Sequence, residues 1–333
     1  VADLDLASST IWKLLALDEP ELEKSDLVAA NLAVARQIPA LAKLDIPRYV
    51  KTVDEWTQRF ARQLPDMERM FKQTPARWKS DIRFFRVGML QGFLGHEIGL
   101  RYIEEQKHVT AVSYTDPSDL FINGLIDKKQ GTCGNMAALH VAMCRRMDWP
   151  VSLAVAKSHL LSRFDDGQVV HNVEASSTHP GVFCSEDDSF YIKKYGLPKR
   201  AIDCGSDLRK LSMREMLGVF LHLAGRHFMD TGQVEAADTV YPLSRTLFPR
   251  YRNAYIGAMI PAITRGKHLF DPNELGHPNS LFDDLAPTFA PQPCHPGLGQ
   301  PIMNVQYITA PPPPRPNKMV VFSTGKIEPQ PTE

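Results

Sequence analysis

Apolar positions recur at helical spacing through most of the first 110 residues. Leu27, Ala30, Leu32, Val34, Ile38 and Leu41 form one stripe, and Trp56, Phe60 and Leu64 continue the pattern. The stretch 76–106 carries Ile82, Phe85, Val87, Met89, Leu90, Phe93, Ile98 and Tyr102 at the same period and reads as one long helix. Its aromatics are most simply the core of a helical layer. Between Ser118 and Glu174 the pattern changes. A short helix is expected over Asp119 to Asp127, a break at Gly131-Thr132, and a helix over Cys133 to Met147 that Pro150 stops. Val151 to Ala156 and His159 to Phe164 read as strands. Asp165-Asp166-Gly167 is a turn, and Gln168 to Glu174 a third strand. Helical spacing returns from Ser212 to Gly266, where Leu217, Phe220, Leu221 and Ala224 form a stripe followed by a repeat-like second helix. The expected class is α+β: a helix packed on a small antiparallel sheet, embedded in mostly helical flanks. The regions are 1–110, helical; 111–205, the mixed core; 206–270, a helical hairpin; and 271–333, an extended tail.

Composition alters this picture at two places. Of 26 prolines in 333 residues, 14 fall after residue 270, including Pro311 to Pro314 and Pro316, which marks the tail as extended. Lys plus Arg and Asp plus Glu are both 38, so no basic excess suggests a nucleic-acid partner. No apolar run reaches the roughly 18–20 residues that span a bilayer. Five cysteines cannot close into disulfides, so at least one thiol is free. A free thiol suits a reducing cytoplasm. The start at Val1 rather than Met leaves an exported mature form open.

Cys133 is the thiol with chemical promise. It stands at a helix start, where unpaired amides and the helix dipole favour a thiolate. A nucleophilic cysteine needs a base within hydrogen-bond reach and a group that orients the base. His140 shares the helix but lies about 10 Å along it, and Cys144 about 16 Å, so neither can bond Cys133. His159 is the better base. If Asp166-Gly167 is a two-residue type I′ turn, Asp165 faces Gln168, Arg163 faces Val170, Leu161 faces Asn172 and His159 faces Glu174. Direct cross-strand partners have β-carbons about 4.5–5.5 Å apart, which sets a carboxylate beside the imidazole. Asn172 shares that face and is the rival orienter; His171 points the other way, and His179 lies in a loop.

The segments Asp116-Pro117-Ser118-Asp119-Leu120, Lys129-Gln130-Gly131-Thr132-Cys133-Gly134, Ala142 to Pro150, Ser158-His159-Leu160 with Arg163-Phe164, and Asn172-Val173-Glu174-Ala175 together resemble the core of the bacterial transglutaminase-like superfamily, a branch of the papain-like thiol enzymes. The resemblance covers about 60 residues. Spacings of 26 residues from Cys133 to His159 and 15 from His159 to Glu174 are part of it. It implies Cys133 as nucleophile, His159 as base and Glu174 as orienter, where many members carry Asp. It implies acyl transfer through a thioester on a peptide, protein or carboxamide substrate, ending in hydrolysis or in amine transfer. The Cys133 amide would be one oxyanion donor and Gln130 a possible second. Cofactors and metals are not expected: no calcium-loop or zinc-ligand spacing is present. The competing expectation is a catalytically silent module that binds proteins through its helical pair and proline-rich tail. Substrate, compartment and oligomeric state stay open.

Overall fold

The computed structural model describes residues 10–106, 112–157, 159–176, 183–255 and 257. The tail over 271–333 and His179, Cys294 and His295 lie outside the described residues.

The first third is helical, with α1 (Ile11–Leu15), α2 (Glu19–Glu23), α3 (Leu27–Ala35), α4 (Ile46–Gln73) and α5 (Ile82–His96). Short polar residues start these helices. Asp26 accepts from the Ala29 amide at 2.8 Å, and Asp45 accepts from the Arg48 amide at 3.3 Å. The expected single helix over 76–106 is corrected here. Lys79 and Ser80, both at φ 55°, precede a new start at Asp81, and Gly99 at φ 80° lies beyond the end. Left-handed backbone interrupts a helix whatever the apolar period says. Ile98 and Tyr102 therefore lie outside the helix, and Arg101–Tyr102 is instead a two-residue strand, β1.

The middle third carries α6 (Ile122–Lys128), β2 (Gln130–Gly131), α7 (Cys133–Arg146), β3 (Val151–Ala156), β4 (His159–Asp165) and β5 (Val170–Val173). β1 pairs with β2 in parallel, setting Tyr102 against Gly131. β3, β4 and β5 form an antiparallel sheet in that order. Both faces are covered. Leu153, Val155, Leu160 and Phe164 join the main core with α7, whereas Ala154, Ala156 and Leu161 pack on Tyr191, Leu197 and Leu208. This is the alternation of a pleated strand with an apolar layer on each side. Residues Gly134 to Cys144 of α7 are all buried, as in a helix at the centre of a fold. The chain continues through α8 (Asp188–Tyr195) and α9 (Lys199–Asp203) to α10 (Met213–Asp230) and α11 (Val234–Leu247), which pack together along their lengths. The main core runs from Ile11 to Ala254 and draws on the N-terminal helices, α6, α7, the sheet, α10 and α11, whereas α8 and α9 pack on the smaller cluster. The described chain is thus a mixed α+β fold. None of its helices is long and apolar enough to cross a membrane.

The hairpin register differs from the expected one. Asp165 pairs with Val170, Arg163 with Asn172 and Ser162 with Val173, so four residues separate the strands rather than two. The cause is local. Asp166 Oδ1 accepts from the Gln168 and Val169 amides, both at 2.9 Å, and Asp165 Oδ1 accepts from Gly167, at φ 82°. These side-chain bonds build a wider loop than a type I′ turn. The slip is by two residues, an even number, so every side chain keeps its face.

Candidate active site

Cys133 is the first residue of α7 and is half-buried. The helix start is held from three sides. The Thr132 amide donates to Asn135 Oδ1 at 2.9 Å. Asn135 Nδ2 donates to the carbonyls of Asp119 at 3.1 Å and Phe121 at 3.2 Å, and the Thr132 hydroxyl also reaches Asp119 at 3.1 Å. Asn135 is fully buried. The need for Gly131 follows from this knot. A Cβ there would lie 2.2 Å from Asn135 Oδ1, so the glycine serves close approach rather than unusual backbone angles.

His159 opens β4, opposite Ala156. The turn before it is fastened through Lys157, at φ 58°. The Lys157 amide donates to Asp207 Oδ1 at 2.5 Å, and its carbonyl accepts from Asn253 at 2.6 Å. Asp207 is in turn paired with Arg252 at 2.7 Å, with side chains 1% and 5% exposed. A buried pair this well bonded would leave an uncompensated charge if cut, so it acts as a stiff anchor. Tyr195 and Tyr191 stack on the imidazole, with centroids at 5.6 and 6.4 Å and planes within 16°.

Glu174 follows the last paired residue of β5. In the observed register it is not directly opposite His159 but two positions along, on the same face. Such diagonal neighbours are within reach of long side chains. The contact is made: His159 Nε2 donates to Glu174 Oε2 at 2.6 Å. Cys133 acts on the same imidazole and is among the causes that raise it. With Nε2 committed to the carboxylate, the ring nitrogen left for the sulfur is Nδ1. A methylene shorter, an Asp at this diagonal position would fall short.

The electrostatics follow from the same contacts. Burial on its own would depress the imidazole. The charge of Glu174, the hydrogen bonds to Cys133 and Glu174, and the charge of Cys133 outweigh it and raise His159 to about 10. Burial pushes Glu174 up, but the imidazolium charge, the hydrogen bonds from His159 and Ser176, and Lys194 bring it below its usual value. Tyr102, Tyr114, Tyr195 and Tyr251 line the surroundings. Burial first, with negative charge at Cys133 among the further causes, holds all four phenols protonated well above their usual range.

The other candidates are occupied elsewhere. Asn172 lies on the expected face, but its Oδ1 accepts from Arg163 at 2.7 Å and its Nδ2 donates to Asp188 at 2.8 Å. With its amide oxygen toward Arg101, Gln130 accepts from Nη2 at 2.7 Å and Nε at 3.1 Å. His140 is packed in α7, its Nε2 3.2 Å from the Val87 carbonyl. No disulfide holds Cys133, Cys144, Cys184 or Cys204. The residues that sequence reasoning missed are the supporting ones. Asn135 had a signal, the Thr-x-x-Asn spacing of a capping box. Asp207, Arg252 and the tyrosines had none, because they arrive from distant segments.

Neither a protein-family model, nor a curated protein, nor a solved structure matches this chain.

Proposed function

We propose that the chain is a cysteine enzyme with a transglutaminase-like core, acting by acyl transfer through a thioester on peptide or carboxamide substrates. The observation that carries this is the single imidazole that bonds a buried carboxylate and is raised in part by a half-exposed thiol at a helix start. A helix-borne thiol packed on an antiparallel sheet, with His159 opening a strand and Glu174 just past the next, supports the papain-like reading of the core.

The chemistry runs from the protonation states. An imidazole raised to about 10 is a cation at neutral pH. It cannot take a proton from the thiol in that form, so the attacking species is the thiolate paired with the imidazolium. The sulfur attacks the carboxamide or peptide carbonyl, and the oxyanion forms beside the Cys133 amide, which has no partner within its own helix. The imidazolium gives its proton to the departing ammonia or amine, leaving a thioester and a neutral ring. That ring then accepts a proton from water or from an amine as the acyl group moves on. Glu174 holds the tautomer and steadies the cation throughout.

The test compares wild type and Cys133→Ala on a peptide pool with a tagged primary amine, read by mass spectrometry. Amine incorporation, new peptide termini or deamidation, each lost in Cys133→Ala, is the expected result. No Cys133-dependent product would favour the silent interaction module.

A further inference from the structure

Every hydrogen-bonding handle of Glu174 is taken. Oε2 accepts from His159 at 2.6 Å, and Oε1 accepts from the Ser176 hydroxyl at 2.5 Å. The Glu174 carbonyl accepts from Gln91 Nε2 at 2.6 Å, and its amide donates to the Cys184 carbonyl at 2.9 Å. Three of the four therefore fix the residue rather than serve the imidazole. Ser176 is 8% exposed and Gln91 is 6% exposed, so water competes weakly for either bond.

We infer that Ser176 is a positioning residue, the fourth member of a chain running Ser176, Glu174, His159, Cys133. The inference rests on the acyl-transfer reading for its consequence in turnover, but its geometry stands without it. A glutamate has one more side-chain torsion than an aspartate and loses more freedom when ordered. At the diagonal register position its extra length is needed to reach His159, and the same length lets the carboxylate swing. Ser176 grips the oxygen that His159 does not use. The backbone bonds to Gln91 and Cys184 hold the base of the side chain, so Ser176 is the group that sets the carboxylate's direction. Its hydrogen bond is one of the causes that keep Glu174 ionised.

The experiment compares Ser176→Ala with the isosteric pair Ser176→Thr and Ser176→Val, which differ from each other only in the hydroxyl. Histidine-labelled protein is titrated by NMR, and Cys133 alkylation by iodoacetamide is followed against pH. In Ser176→Ala and Ser176→Val the carboxylate is released, so His159 titrates lower, toward 6.5. Alkylation of Cys133 at neutral pH slows about tenfold, as for loss of a bond to a charged group. Ser176→Thr restores both. Packing loss alone would separate Thr and Val from Ala rather than Thr from Val. An unchanged His159 titration in Ser176→Val overturns the inference. If wild-type Cys133 is no more reactive than the other thiols, the acyl-transfer reading fails, and the NMR titration still decides the role of Ser176.

Discussion

Helix α7 carries two thiols, each matched with an imidazole, and the two pairs have opposite characters. At its start, Cys133 is half-buried and acts on His159, which Glu174 and Cys133 raise to about 10 against its burial. Near its end, Cys144 Sγ lies 3.8 Å from His140 Nδ1, and both residues are fully buried. There burial pushes the Cys144 thiol well up and lowers His140 to about 4, with only the Val87 carbonyl pulling the other way. The residue types are shared; the carboxylate and the helix start are not. A cysteine beside a histidine is therefore not yet a reactive pair. What converts it is a charge that holds the imidazole cationic and a position where backbone amides are unspent.

The largest expected contrast is between removing the two sulfurs. Cys133→Ala abolishes product formation, a loss of at least about 10³-fold. Cys144→Ala leaves turnover near wild type but costs about 1–2 kcal/mol of stability in denaturant titration, because it empties packed space. Next is Glu174→Gln, which makes the first pair more like the second. His159 titrates well below its wild-type value, and turnover falls about 10²-fold, read together by NMR and product assay.

The pairs also tilt stability in opposite directions with pH. The folded value of His159, about 10, lies above the unfolded value near 6.5, so the folded state binds the extra proton in that window. Its contribution is complete below about 6.5 and fades as pH rises through about 10. The folded value of His140, about 4, lies below the unfolded one. Its cost is absent above about 6.5 and grows as pH falls through about 4. Urea titrations on His159→Gln and His140→Gln from pH 4 to 10 should remove the alkaline loss and the acid loss respectively. The smallest effect on chemistry belongs to Asn172→Ala. It breaks the bonds to Arg163 and Asp188 and costs about 1–3 kcal/mol, yet leaves the His159 titration in place.

Much of this comparison was legible in the residues and some was not. Gly131, Pro150 and the Asp-Gly turn punctuate the chain sharply, so α7 and the three strands stand close to where the pattern puts them. His159 and Glu174 meet on the expected face, but by a different route. The pairing argument assumed a two-residue turn, and Asp166 instead built a four-residue loop by binding two amides. The slip was even, so the face survived and the length of Glu174 closed the gap. A slip of one would have turned Glu174 to the other side. The limits of α5 were hidden because apolar spacing continues past Gly99 while the backbone does not. Ser176, Gln91 and Asp207 could not have been named beforehand, since their partners are set by tertiary packing and no local spacing marks them.

The central claim is that the His159–Glu174 pair activates Cys133. Competitive labelling of the full chain at neutral pH with a limiting thiol probe, mapped by peptide mass spectrometry, tests it most directly. Cys184 and Cys204 are the fair references, because they are also only partly buried. The account predicts that Cys133 labels well ahead of both, and that His159→Ala removes the preference. Equal labelling of the three thiols in wild type, or a preference that survives His159→Ala, would contradict it.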